Sequence, residues 1–341
     1  MTSATAVSTA RRPGPRIAGQ VERYPIAGAF TIARGSKTEA EVLVVEVSED
    51  GRAGVGRGEG TPYARYGESP AGCLAQIEHA QTVLGAGWDP AAVQTALPAG
   101  AARNALDCAV WDLKAKQSGQ PVWRLIGLPP PVAVTTAFTL SLASPTEMGA
   151  AAGAAADRPL LKLKIGGADD LDRVRAVRAA APASRLIVDA NEGLEFDTLR
   201  RLAPELARLG VVLIEQPLKA GADEELRGYA CPVTLCADES LHTRAELAAC
   251  AERYACVNIK LDKAGGLTEA AALAAEARAR GLMIMVGCMV ATSLSMAPAL
   301  LLAGQADYVD LDGPLLLARD REGGLSYRGS IVEPPPAALW G

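Results

Sequence analysis

Leu186-Ile187-Val188-Asp189-Ala190-Asn191, an amphipathic run over residues 197–209 closed by Gly210, and then Val211-Val212-Leu213-Ile214-Glu215-Gln216 form the stretch that decides the fold. Two apolar runs of strand length flank a segment whose apolar residues recur at helical spacing. A strand that is apolar on both faces belongs in a parallel sheet covered by helices, and strand–helix–strand is the repeating unit of such a sheet. In each of these two strands the apolar run is followed by an acid, Asp189 in the first and Glu215 in the second.

Outward from this stretch the unit recurs. Candidate strands cover residues 134–140, 160–165, 186–191, 211–216, 233–239, 256–262, 282–288 and 307–312, with Ala-, Leu- and Arg-rich helical patterns between them, such as 268–280 closed by Gly281. Eight such units in succession close into a barrel whose chemistry sits at the C-terminal ends of the strands. Lys164, Asp189, Glu215, Asp238, Lys260 and Asp310 all fall there, the first five at steps of 22 to 26 residues. One strand plus one helix fills each step, so these side chains share one mouth.

Before Pro129-Pro130-Pro131 the pattern differs. Alternating segments at 30–34, 41–47 and 52–58 suggest an antiparallel meander, and helical patterns follow at 69–84, 89–97 and 100–118. The expected architecture is therefore α/β: a modified TIM barrel over residues 129–322, with an α+β N-terminal capping domain over 17–128. A tail at 1–16 is read as disordered rather than as a transit peptide, and a segment at 323–341 is expected to return toward the capping domain.

With 341 residues the chain exceeds what one core serves, and 49% apolar against 21% charged residues gives ample material to bury. No apolar run reaches bilayer length. A net charge of −5 with scattered basic residues excludes nucleic acid and acidic membranes as partners and favours a small molecule. Seven cysteines without paired-thiolate spacing read as buried thiols in a reducing cytoplasm.

Asp189, Glu215 and Asp238 end three consecutive strands. Any one such acid could cap a helix or pair with an Arg. Three side by side would repel one another unless a cation neutralised them, and all-oxygen ligation favours Mg²⁺. Lys162 and Lys164 lie two apart on one strand and point the same way, while Lys260 ends a strand four positions further round, on the opposite wall. A carbon held between Lys164 and Lys260 would meet one amine on each face, a geometry suited to removing a proton from one side and returning it on the other. Each must then serve as a neutral base, its pKa lowered from about 10.4 by the Lys162 ammonium beside Lys164 together with a nearby divalent cation. Lys162 is expected to stay protonated and hold a developing oxyanion. Neither His79 nor His242 ends a suitable strand, which disfavours zinc and a His base.

Leu-Lys-Leu-Lys (161–164), Asp-Ala-Asn (189–191), Glu-Gln-Pro (215–217), Ala-Asp-Glu-Ser (237–240) and Asn-Ile-Lys-Leu-Asp-Lys (258–263) resemble the enolase superfamily, specifically its muconate-lactonizing subgroup. Asp310-Leu311-Asp312 before Gly313-Pro314, with the segments at 32–36, 61–69 and 287–289, resembles the L-Ala-D/L-Glu dipeptide epimerases. That resemblance implies a Mg²⁺-dependent isomerase that epimerises the C-terminal residue of a dipeptide, through a metal-stabilised enolate, in recycling of cell-wall peptides. It implies Lys162, Lys164 and Lys260 as catalytic residues, Asp189, Glu215 and Asp238 as metal ligands, and Asn191 and Glu239 as supports beside them.

Asp310 and Asp312 would hold the dipeptide's ammonium. Arg34 or Arg65, in loops of the capping lid, would clamp a glutamate side chain. Ala291 departs from many dipeptide epimerases, which carry an acid there. A lyase of the same superfamily, such as an o-succinylbenzoate synthase, would use the same lysines and metal but would have no use for two acids at 310 and 312. A silent binding protein on this scaffold would bind Mg²⁺ without exchanging the α-proton. Members of the superfamily are often oligomeric, which leaves a homo-oligomer open.

Overall fold

A computed structural model describes residues 16–84 and 88–341. The chain opens with a three-stranded antiparallel sheet of β1 (Arg16–Ile32), β2 (Gly35–Ser48) and β3 (Val55–Gly60), followed by α1 (Pro70–Val83), α2 (Pro90–Ala96), α3 (Ala101–Ser118) and a turn of helix, α4 (Val122–Leu125). Ser69 and Asp89 cap α1 and α2 by accepting from Gly72 N and Ala92 N. Gly119, left-handed, closes α3.

β2 carries a buried run because both of its faces are covered. Leu43, Val45 and Val47 pack on the capping helices, and Val42 and Val44 join the core that continues into the barrel. The alternating Gly56, Gly58 and Gly60 of β3 let α3 lie directly on the strand. A Cβ at these positions would stand 2.0–2.2 Å from the carbonyl oxygens of Ala109, Ala105 and Ala101. By the period of two, Glu59 points the other way, toward the barrel.

Then come β4 (Val134–Thr135), β5 (Phe138–Leu140), α5 (Pro145–Ala154), β6 (Leu160–Lys164), α6 (Asp170–Ala180), β7 (Arg185–Asp189), α7 (Phe196–Arg208), β8 (Val211–Glu215), β9 (Thr234–Ala237), α8 (Arg244–Ala251), β10 (Cys256–Lys260), α9 (Leu261–Ala264), α10 (Leu267–Ala279), β11 (Met283–Gly287), α11 (Ser293–Ala303), β12 (Tyr308–Asp310), α12 (Gly313–Leu316), β13 (Tyr327–Arg328) and β14 (Ile331–Val332). Strands β5 to β12 form one parallel sheet in chain order. Its two ends meet where Ala137 N donates to Val309 O at 2.8 Å, so the sheet curls into a barrel.

Three expectations are corrected. The strand expected at 134–140 is broken: β4 pairs with β14 in a separate small sheet, Thr136 N bonds to Ser330 O, and only β5 joins the barrel. The first strand of the meander is far longer than 30–34. As an exposed edge strand with a register shift between Pro25 and Phe30 it lacks the alternation that would have revealed it, and it begins at Arg16, which was assigned to the tail. The strand expected at 256–262 stops at Lys260 because the chain turns at once into α9.

The rest of the expected tail lies outside the described residues. Five of the seven free cysteines are buried, whereas Cys231 and Cys288 are partly exposed. No helix among the described residues is long and apolar enough to cross a membrane. Trp340 is buried and donates from its indole Nε1 to Cys108 O of α3 at 3.1 Å, and Gly341 N donates to Asp112 Oδ1 at 2.9 Å.

Candidate active site

The period of two puts Lys162 and Lys164 on the inner face of β6, with Asp189, Glu215, Asn258, Lys260 and Asp310 on the inner faces of neighbouring strands and Asp238 just past the end of β9. Lys164 on β6 and Lys260 on β10 are four strands apart in a ring of eight, so they face each other across the mouth. Lys164 Nζ lies 2.6 Å from Asp189 Oδ2. Lys162 Nζ lies 3.1 Å from the same oxygen and 2.7 Å from both Glu215 Oε2 and Asp310 Oδ2. Across the mouth, Lys260 Nζ is 2.7 Å from Asp238 Oδ2 and Lys263 Nζ is 2.5 Å from Asp238 Oδ1. Asn258 Nδ2 donates to Glu215 Oε1 at 2.7 Å. All these side chains are buried.

Burial by itself would raise every one of these acids. For Asp189 it is outweighed by Lys164 and Lys162, and for Asp238 by Lys260 and Lys263, so both carboxyls sit well below the usual range. Glu215 goes the other way, pushed up by burial and then by Asp189, with Lys162 only partly compensating. Burial opposes charge on Lys162 and Lys260 as well. Here the neighbouring acids win, and both ammoniums are held well above their ordinary value. Asp238, which Lys260 touches, does most to hold it up, followed by Glu215.

The expected trio therefore stands in a different arrangement. Among the described residues no three acid, His or Cys side chains converge as one ion-binding group, because Asp189, Glu215 and Asp238 are each turned to an ammonium. The donor set nevertheless fits a hard divalent cation. It is all oxygen, it comes from three consecutive strands, and Glu215 Oε2 and Asp238 Oδ1 are buried beside ammoniums without a hydrogen bond of proper geometry.

The tip of the β1–β2 hairpin covers this mouth. Ala33 packs against Gly166, just beyond β6, and Leu142 N donates to Thr31 O at 2.9 Å. Arg34 donates to Asn191 O (2.6 Å), Tyr63 Oη (3.0 Å) and Glu239 Oε1 (2.8 Å), and pairs with Glu192. Arg65 makes a bidentate pair with the same Glu192, at 2.9 and 2.8 Å. Both guanidiniums thus fasten the lid to barrel acids. Asn191 N donates to Asp189 Oδ1 at 2.9 Å, so Asn191 supports that acid as well as touching Glu239.

Asp312 Oδ2 accepts from Thr139 N at 2.6 Å, and burial followed by Asp310 pushes its carboxyl up to about 7. Asp310 Oδ1 is buried without a hydrogen bond.

Sequence reasoning missed four residues. Gln216 accepts from Asp238 N (2.8 Å) and Ser240 N (3.1 Å), while its Nε2, with two hydrogens to give, lies within hydrogen-bond distance of Leu218 O, Ser240 Oγ and Tyr254 Oη, which locks the backbone beside Asp238. Lys263 and Asn258 hold Asp238 and Glu215, and Glu192 holds both lid arginines. Asn258 was readable, being two residues before Lys260 on one strand face. Asn191, Glu192 and Gln216 have positive φ (44°, 68° and 34°), backbone that side chains rarely adopt, at two neighbouring strand ends.

Opposed lysines interleaved with three strand-end acids, under a lid, form the charged mouth of a (β/α) barrel. Residues 147–336 match the enolase C-terminal domain-like family model, and residues 18–127 match that of the mandelate racemase/muconate lactonizing enzyme N-terminal domain. The chain belongs to this family, within the enolase superfamily. It is 48% identical over 308 residues to an L-Ala-D/L-Glu epimerase of Escherichia coli K12, covering 90% of this chain and 95% of the relative. It is 47% identical over 288 residues to an N-acetyl-D-glutamate racemase of a Pseudoalteromonas species, covering 84% and 91%. A solved enolase family member from Agrobacterium tumefaciens with homology to dipeptide epimerases, holding sodium and L-Ala-L-Glu, superposes with a TM-score of 0.93 at 49% identity, covering 96% of this chain and 100% of that one.

Proposed function

We propose that this isomerase epimerises the C-terminal residue of a small dipeptide with Mg²⁺, interconverting L-Ala-D-Glu and L-Ala-L-Glu. The observation that carries the reading is the placement of Lys164 and Lys260 on opposite walls, each in contact with one of three strand-end acids. One lysine takes the α-proton of the glutamate and the other returns a proton on the opposite face, the roles exchanging with the stereoisomer bound. Lys162, the most thoroughly paired ammonium of the site, keeps its proton and faces the oxygen on which charge develops.

Asp189, Glu215 and Asp238 would hold Mg²⁺, with Asn191 and Glu239 supporting them. When bound, the ion supplies positive charge that makes the adjacent α-proton more acidic. Asp310 and Asp312 receive the dipeptide's ammonium. Arg34, which spans Asn191 and Glu239 while Arg65 reaches only Glu192, is the better placed to meet the glutamate side chain. A reducing cytoplasm agrees with the unpaired thiols, and a dipeptide substrate of this kind fits recycling of cell-wall peptides.

A second reading is racemisation of an N-acylated glutamate, which lacks the ammonium. It is favoured by the fact that Asp310 and Asp312 already have partners in Lys162 and Thr139. Incubating L-Ala-D-Glu with the Mg²⁺-loaded enzyme in D₂O should place solvent deuterium on the glutamate α-carbon as L-Ala-L-Glu accumulates. Inversion without deuterium uptake would rule out transfer between two lysines.

A further inference from the structure

At the end of β3 the fully buried carboxylate of Glu59 leaves its own domain. It accepts from Thr292 N at 2.8 Å, from Thr292 Oγ1, and from Arg321 Nε and Nη2 at 3.0 and 2.8 Å. Arg321 closes the group by donating from Nε to Thr292 Oγ1 at 2.7 Å and pairing with Glu22 of β1 at 2.7 Å. Thr292 caps α11 and ends the loop of residues 288–292 that follows β11.

That loop lies on Gly313. A Cβ at Gly313 would stand 2.9 Å from Met289 O and 3.1 Å from Ala291 N, so the contact is already at its limit. Gly313 directly follows Asp312. A run of tight contacts thus leads from a capping-domain acid, through Thr292 and the 288–292 loop, to the Asp310/Asp312 pair. Burying a carboxylate is costly even when it is fully hydrogen-bonded, so Glu59 does more here than fill space.

We propose that Glu59 is a positioning residue: it registers the capping sheet against the 288–292 loop and thereby sets the two aspartates that receive the substrate's ammonium. This rests on the ammonium-binding reading given above. The test compares L-Ala-D-Glu with N-propionyl-D-glutamate, the same molecule with hydrogen in place of the ammonium.

The wild-type enzyme should prefer the dipeptide in kcat/KM by about a hundredfold or more. Glu59→Gln should shrink that preference about tenfold, with the loss lying mainly in KM for the dipeptide. Mg²⁺ affinity, followed by calorimetry, should be unchanged. A purely structural defect would lower both substrates in proportion and leave the ratio intact, so a Glu59→Gln enzyme with the wild-type ratio overturns the assignment. A wild-type enzyme indifferent to the ammonium overturns the reading beneath it and the assignment together. If Glu59→Gln does not fold, Thr292→Val, which removes one hydroxyl and leaves the Glu59–Arg321 pair, carries the same comparison with the same outcomes.

Discussion

On the inner face of the barrel the floor carries Ala137, Leu160, Ile187, Leu213, Cys236, Cys256, Met285 and Tyr308, while further along the same strands the mouth carries Lys162, Asp189, Glu215, Asn258, Lys260 and Asp310. Backbone, pairing and side-chain period are shared, and only the chemistry of alternate residues differs. On the floor each buried methylene adds about 0.8 kcal/mol of stability. In the mouth each buried charge costs stability and is tolerated because another charge of opposite sign touches it. The fold is thus secured at one end of the strands, and the other end is free to hold an arrangement of charges that stability alone would not select.

The largest effects should come from the mouth. Lys164→Ala and Lys260→Ala should each lower epimerisation by about 10³-fold or more. Each variant should still exchange the α-proton of only one stereoisomer, a different one for each lysine, when followed by NMR in D₂O. Exchange of both stereoisomers by either variant would break the division of labour between the walls. On the floor, Leu213→Ala should cost about 2–5 kcal/mol in denaturant unfolding, because Leu213 is fully buried. Its turnover per folded molecule should match the wild type, and a matching loss of turnover would show that floor and mouth are not separable.

The last effect concerns the seam with the capping domain. Burial pushes the carboxyl of Asp262, in α9, up to about 7 despite hydrogen bonds from Thr61 N and Asn104 Nδ2. Unfolded, the group titrates near about 3.9. The folded form therefore binds the proton more tightly, so this contribution to stability is complete below about pH 4 and disappears as pH rises through 7. Thermal unfolding across pH 5 to 8 should show a decline that Asp262→Asn flattens. An unchanged slope in the variant would mean that other groups set it.

The barrel and its mouth were legible because both are written locally: an apolar run gives a strand, its last inward residue gives a site position, and the 22-to-26-residue step gives the ring. The lysines of opposite walls followed from counting strands. What remained hidden depends on partners far away in the chain. Glu192 meets Arg34 across 158 residues and Arg65 across 127, and nothing near Glu192 in sequence announces either. Lys263 reads locally as a charged helix residue, and only the turn of α9 brings it onto Asp238. The length of β1 was hidden for another reason, since an exposed edge strand buries too little to leave a pattern.

Trp340 fills a slot in the core that α3 shares with the barrel and donates to the carbonyl of Cys108, a residue 232 positions earlier. As the chain emerges from the ribosome, the capping sheet and its helices are synthesised first, yet that slot stays unfilled until every barrel strand has been made. The lid-bearing half therefore acquires its final packing only after the catalytic half exists to be covered, which ties the maturation of the two halves into a single closing event.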